Sequence, residues 1–182
     1  MKERPIIMST DSVRAILAGT KTQTRRVMNP PPEPIGLVAP KKLKCPFGTR
    51  GDRLWVKEAF ASGIPGCWEH QKGILYRADH QDQRNGDGPL NMQGLWKSPL
   101  FMPRRASRIV LEITKVGYQR LWSMWHHDAR DEGYGYHPDC LKWYQEAWDK
   151  LNAKRGFPWE SNPWVWVVKF KRIALDKPAA DC

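Results

Sequence analysis

Lys21, Thr24, Arg25 and Arg26 fall within six positions of the stretch ILAGTKTQTRRV, residues 16–27. A primary amine, a hydroxyl and two fixed cations this close can serve acyl-transfer chemistry or grip an anion. In the plainer alternative Thr24 closes a turn and Lys21 contacts a phosphate.

The elements around this stretch must position it. RPIIM at 4–8 reads as a short entering strand. Ser9 and Thr10 offer N-cap oxygens, and Asp11 favours the positive end of a helix. Val13, Ile16 and Leu17 lie at helical spacing, and Gly19 is the stop. Thr20 to Val27 looks extended. In a regular strand Lys21 and Thr24 would leave opposite faces, so a site using both needs a bend just after Gly19.

Residues 28–52 read as a long Pro- and Gly-rich connection, basic at Lys41, Lys42 and Lys44. RLWVKEAF is a strand with Leu54 and Val56 on one face and Trp55 and Lys57 on the other. Trp55 and Trp96 can stack a base. Glu58, Tyr76, Arg77 and Asp79 are candidates for a pocket wall. Residues 61–72 are irregular, GILYRAD reads as a strand, and 80–100 as a loop. Arg104 and Arg105 precede a strand in which Ile109, Leu111 and Ile113 alternate toward the core.

Ser123 is placed to cap a helix running to about Glu132 and ended by Gly133. Pro138 opens a longer helix with Leu141, Tyr144, Trp148 and Leu151 on one face, stopped near Gly156. NPWVWVVKFKRI closes the chain as a strand, with Trp164, Trp166, Val168 and Phe170 on one face. His126 and His127 raise a ribonuclease reading, but adjacent helical residues point about 100° apart and do not converge on one atom.

Thirty Lys and Arg against nineteen Asp and Glu give a net charge of +11. That balance favours a polyanionic partner, nucleic acid or a nucleotide, over a merely soluble basic protein. Four cysteines (Cys45, Cys67, Cys140, Cys182) include no CxxC pair, and Cys67, His70 and His80 match no familiar ligand set, so no metal is expected. The apolar run in MKERPIIM is too short for a signal peptide, and no segment approaches a membrane span. Together these features predict a cytoplasmic protein with reduced thiols. At 182 residues a single domain over 1–175 is expected, with insertions at about 28–50 and 61–106 and a tail at 176–182. Short strands with helices between them argue for an α+β fold, a small curved or closed barrel.

The order of segments resembles the ASCH domain of the PUA-like superfamily. It runs from an apolar helix to GTKTQTR at 19–25, GDRLWV at 51–56, SRIVLEITKV at 107–116, a helix ending in DEG, and a Trp- and Val-rich last strand. Gly19, Lys21 and Thr24 match the family signature, and Arg25 or Arg26 supplies the following cation. The resemblance spans roughly residues 4–173 outside the insertions and looks nearest to the longer ASCH proteins of tailed phages and prophages. It implies a PUA-like small β-barrel with a cleft, associated with RNA. One ASCH branch consists of N4-acetylcytidine amidohydrolases that use a Lys, a Thr and a Glu. Lys21 and Thr24 match the first two. Laying LEIT at 111–114 on that branch's equivalent strand places the third at Glu132.

In the chemistry the resemblance implies, Thr24 attacks the acyl carbonyl, Lys21 takes the hydroxyl proton if burial beside Arg25 or Arg26 lowers its pKa, and Glu132 holds the exocyclic nitrogen of cytosine and helps protonate it. Alternatively it acts as the base while a charged Lys21 stabilises the oxyanion. Its plainer role is a salt bridge to Lys21 that fastens the helix to the barrel. Arg25, Arg26, Trp55, Lys57, Glu58, Tyr76, Arg77 and Arg104 are the expected binding residues. A modified nucleoside or RNA is the expected ligand, with no cofactor, membrane or obligate protein partner.

Overall fold

The computed structural model describes residues 1–31, 43–61, 74–80 and 96–173. Ser9 starts the first helix as expected: its hydroxyl accepts the Ser12 N–H at 3.2 Å, and α1 runs Thr10–Leu17 with Val13 and Ile16 buried. It lies between β1 (Glu3–Ile7) and β2 (Gln23–Val27). Next come β3 (Arg53–Lys57), β4 (Phe60–Ala61), β5 (Leu75–Tyr76) and the long β6 (Val110–Arg120). Two helices, α2 (His126–Asp131) and α3 (Cys140–Asn152), separate β6 from β7 (Trp164–Ile173).

The main sheet has the order β1-β3-β6-β7-β2, parallel between β1 and β3 and antiparallel elsewhere. The closed barrel expected from the sequence does not form. Closure takes a backbone ladder, and here β1 and β2 remain the two edges. A side chain makes the link instead: Arg26 Nη2 donates to the Ile7 carbonyl at 2.8 Å.

One face of the sheet joins α1 in a core of Ile6, Val13, Ile16, Leu54, Val56, Leu111, Ile113, Val168 and Phe170. Each such side chain contributes roughly 1.5–3 kcal/mol by leaving water. Val165 on the other face of β7 packs under α2 and α3 with Leu121, Ala129, Tyr144 and Trp148. Both faces of β7 are therefore covered over its first half, which is why residues 164–168 read as a continuous apolar run, whereas Lys171 and Arg172 near its end are exposed.

Two further expectations are corrected. The helix does not start at Ser123; Leu121–Ser123 forms a 3-10 turn, and α2 begins after Trp125, whose N–H donates to Asp128 Oδ2 at 3.0 Å. Leu151 is 61% exposed rather than buried, because Tyr144 and Trp148 set the inner face of α3. Within the expected insertion at about 61–106, β5 falls in the GILYRAD segment read as a strand, and Phe60, Met102 and Ala106 form a small separate core beside β4 and β5. Residues 32–42, 62–73, 81–95 and 174–182, which include much of those insertions and the tail, lie outside the described residues.

Candidate functional site

Gly19, at φ +76°, ends α1, and both Thr20 and Lys21 donate their N–H groups to the Ala15 carbonyl. The chain then turns into the groove between β7 and the end of α2. Lys21 forms an isolated bridge with Glu132, and the Thr22 N–H donates to Asp131 O at 2.8 Å. The bend foreseen after Gly19 is therefore present. It carries the lysine outside the regular strand.

Lys21 Nζ donates to Glu132 Oε2 at 2.6 Å and to the Glu132 carbonyl at 2.8 Å. Arg25 Nη1 donates to Glu132 Oε1 at 3.2 Å, and Nη2 lies 3.1 Å from Asp128 Oδ2. Gln23 Nε2 donates to the carbonyl and to Oδ1 of Asp128, at 3.0 and 3.2 Å. Strand alternation puts Gln23 and Arg25 on one face of β2, while Asp128 and Glu132, four apart, share one side of α2. Two cations thus meet two carboxylates, and the Lys21 and Glu132 side chains are 4% and 3% exposed.

Burial pulls the Lys21 ammonium below its usual pKa, and Arg26 and Arg25 act the same way against the opposing pull of Glu132. Burial also drives the Tyr134 hydroxyl up to about 12 and that of Tyr144 well above its ordinary value, with Glu132 adding to both. For Asp128, burial pushes the carboxyl up. The Trp125 N–H, Arg25 and Gln23 together outweigh it and hold the group below its normal value.

That lowered value fixes a pH dependence. Stability from the Asp128 carboxylate is present above its unfolded pKa of about 3.9 and is lost as pH falls through the lower folded value. The urea midpoint is expected to drop below about pH 4, and Asp128→Asn should flatten that acid limb. An acid limb identical in the variant would show that the carboxylate is not held as described.

Thr24 does not join Lys21 and Glu132. It stands opposite Val168, on the sheet face that carries the first core, and its hydroxyl accepts from Arg26 Nη1 at 2.8 Å. Arg26 also donates to its neighbour's carbonyl and to Ile7 O. Lys21 and Glu132 are thus brought together, while Thr24 is paired with Arg26. Arg25, expected at a binding surface, is buried inside the network.

The remaining candidates fall in two groups. Glu58 is 1% exposed and held by Arg108, whose Nε and Nη2 donate to its two oxygens at 2.9 and 3.0 Å while Nη1 reaches Asp79. The same guanidinium lies 4.0 Å from the Tyr76 ring centre, and the Tyr76 hydroxyl donates to Ala106 O. Arg77 is exposed in the adjoining 3-10 turn. Trp55, Lys57 and Arg104 converge: the lysine and arginine heads lie 5.6 and 5.9 Å from the indole.

His126 and His127 diverge, the first toward Cys140 Sγ at 3.8 Å and the second toward Asp128 at 3.7 Å. Among the described residues no group of three or more metal-binding side chains is present, and no helix is long and apolar enough to cross a membrane. Cys67 and His70 lie outside the described residues.

Gln23, Asp128, Tyr134 and Arg108 were not singled out from the sequence, and Tyr144 was named only as an inner-face residue of its helix. Only Asp128 left a usable trace there, in its four-residue spacing from Glu132.

No known family model and no curated protein matches this chain. Among solved structures, one similar chain is an ASCH domain from Lactobacillus crispatus JV V101, at 16% identity and a TM-score of 0.46, covering 94% of this chain and 79% of that one. Another is protein EF3133 from Enterococcus faecalis V583, at 10% identity and a TM-score of 0.48, covering 100% of this chain and 86% of that one.

Proposed function

We propose that the chain is an RNA-directed module of the ASCH type. The observation that carries this reading is its charge, +11 from thirty Lys and Arg against nineteen Asp and Glu. The GTKTQTR motif and the cations set against surface aromatics support it. Polyanion binding releases counterions, so affinity for single-stranded RNA falls with salt by roughly 0.7 log units per decade for each phosphate engaged. Fluorescence anisotropy with a labelled single-stranded RNA is expected to give a slope steeper than about −2, equivalent to three or more phosphates. A flat salt dependence, or no binding at low salt, would sink this reading.

Hydrolysis of an acylated cytidine is the second reading, and one contact favours it. Lys21 Nζ lies 2.6 Å from Glu132 Oε2, in a setting that depresses the lysine pKa. A basic amine beside a carboxylate suits proton transfer at an amide. Thr24 Oγ1 would attack the acyl carbonyl and lose its proton to Lys21. Glu132 would pass that proton to the departing N4 amine, and water would then cleave the threonine ester to release acetate. The step requires Thr24 to leave Arg26 and approach the pair. Release of cytidine from N4-acetylcytidine tests it, with Thr24→Ala and Lys21→Ala expected to abolish turnover. A folded wild type that releases none rules the reading out.

A further inference from the structure

β3 is two-faced. Leu54 and Val56 enter the core with no exposure, while Trp55 and Lys57 point outward and remain half-exposed. Beside them on β1, Pro5 pairs with Trp55 and Ile7 with Lys57, and both are exposed. The 3-10 turn Pro99–Phe101 borders this face, leaving Leu100 64% and Phe101 75% exposed. Lys57 anchors that turn by donating from Nζ to the Leu100 carbonyl at 2.6 Å. An aromatic and aliphatic stripe this exposed on a charged protein marks an interaction surface.

Its charges indicate the partner. Lys57 and Arg104 flank the Trp55 ring, and Arg105 next to them is exposed. Glu3 is the opposing acid, taken up in a paired contact with Arg104 at 2.8 and 2.9 Å. At the far end of β3, Arg53 lies between Glu3 and Glu112 in the cross-strand register, so the positive excess gathers at the Trp55 end.

We infer that this outer face of β1 and β3 docks a single-stranded nucleic acid, stacking bases on Trp55 and Phe101 and meeting phosphates with Lys57, Arg104 and Arg105. The inference rests on the RNA-directed reading and names the surface and the form of the polymer. Bases inside a duplex are already stacked and offer no free faces, whereas unpaired bases offer both. Rings with cations beside them form the combination that holds a single strand without demanding a sequence. The face lies apart from the buried network of Lys21 and Glu132.

The test is anisotropy with a twelve-nucleotide single-stranded RNA and with a duplex of the same length. It compares wild type with Trp55→Ala, Trp55→Phe, Phe101→Ala, Lys57→Gln and, as a charge-matched control on α3, Lys142→Gln. The expected results are roughly tenfold weaker binding for Trp55→Ala, in line with one lost stacking contact, recovery in Trp55→Phe, and weakening for Phe101→Ala. Lys57→Gln should reduce the salt slope by about 0.7, again one phosphate. Phe101 is so exposed that its truncation leaves the fold intact, which keeps the test meaningful if Trp55→Ala misfolds. Wild-type affinity in Phe101→Ala and Lys57→Gln, or tighter binding of the duplex, overturns the inference and leaves the RNA-directed reading standing. Absence of binding by wild type to either RNA overturns both and gives the surface to a protein partner.

Discussion

Glu132→Ala is expected to lower stability by about 3–5 kcal/mol, because it strands a buried ammonium and part of a buried guanidinium without their counter-charge. For a chain of this size that corresponds to a fall in melting temperature on the order of 10 °C. Lys21→Met should cost less, since Arg25 still faces Glu132 at 3.2 Å. The double variant Lys21→Met with Glu132→Leu should recover part of the loss, as apolar replacements of buried ion pairs often do. A double-mutant cycle isolates the coupling between the two groups. A Glu132→Ala protein that melts within a degree or two of wild type would show that the pair does not fasten the end of α2 to the segment leading into β2. If that same variant lost turnover of N4-acetylcytidine at unchanged stability, the pair would be poised for chemistry instead.

Gly133→Ala should be nearly as damaging, for a steric reason. Gly133 adopts φ +99°, and a Cβ there would come within 2.8 Å of the Ala15 Cβ on α1 and 3.2 Å of the Lys21 Cβ. Backbone strain of about 1–3 kcal/mol adds to about 1–3 kcal/mol of overpacking. Gly19 and Gly135 share the positive φ but have open space around them, so their alanine variants should show the strain alone. Denaturant midpoints of the three variants side by side decide the matter. Equal losses at all three would mean that α1 and the end of α2 do not approach as closely as described. Small side chains at 15 and 133 thus set the distance between α1 and Glu132.

Period-two patterns made much of the sheet legible. Leu54 and Val56 alternate with outward neighbours as expected, and Trp166, Val168 and Phe170 line the core face of β7. The start of α2 was not legible. A six-residue helix has too few turns for periodicity, and its N-terminus is held by Asp128 reaching back to Trp125 rather than by Ser123. Lys21 and Glu132 lie far apart in the chain, and no spacing rule joins them; the family resemblance singled out the glutamate, and the packing of α2 brings the two together. Gln23 and Asp128 escaped notice because Gln23 is not one of the signature positions within GTKTQTR and Asp128 lies in no motif; their roles arise only when α2 lies across β2. The separation of Thr24 from Lys21 follows from strand alternation, with the bend at Gly19 moving the lysine and leaving the threonine in register.

The strand order also has a consequence for biosynthesis. Among the described residues β2 finds its one backbone ladder on β7, where Gln23 pairs with Lys169 and Val27 with Val165. A ribosome adding roughly 5–20 residues per second leaves β2 waiting on the order of ten seconds for that partner. During this interval the TKTQTRR segment cannot be shielded by its native neighbour, and the apolar half of α1 lacks much of its core. Assembly around Lys21 is therefore a late event in synthesis, because β2 lacks its ladder partner until β7 has been made.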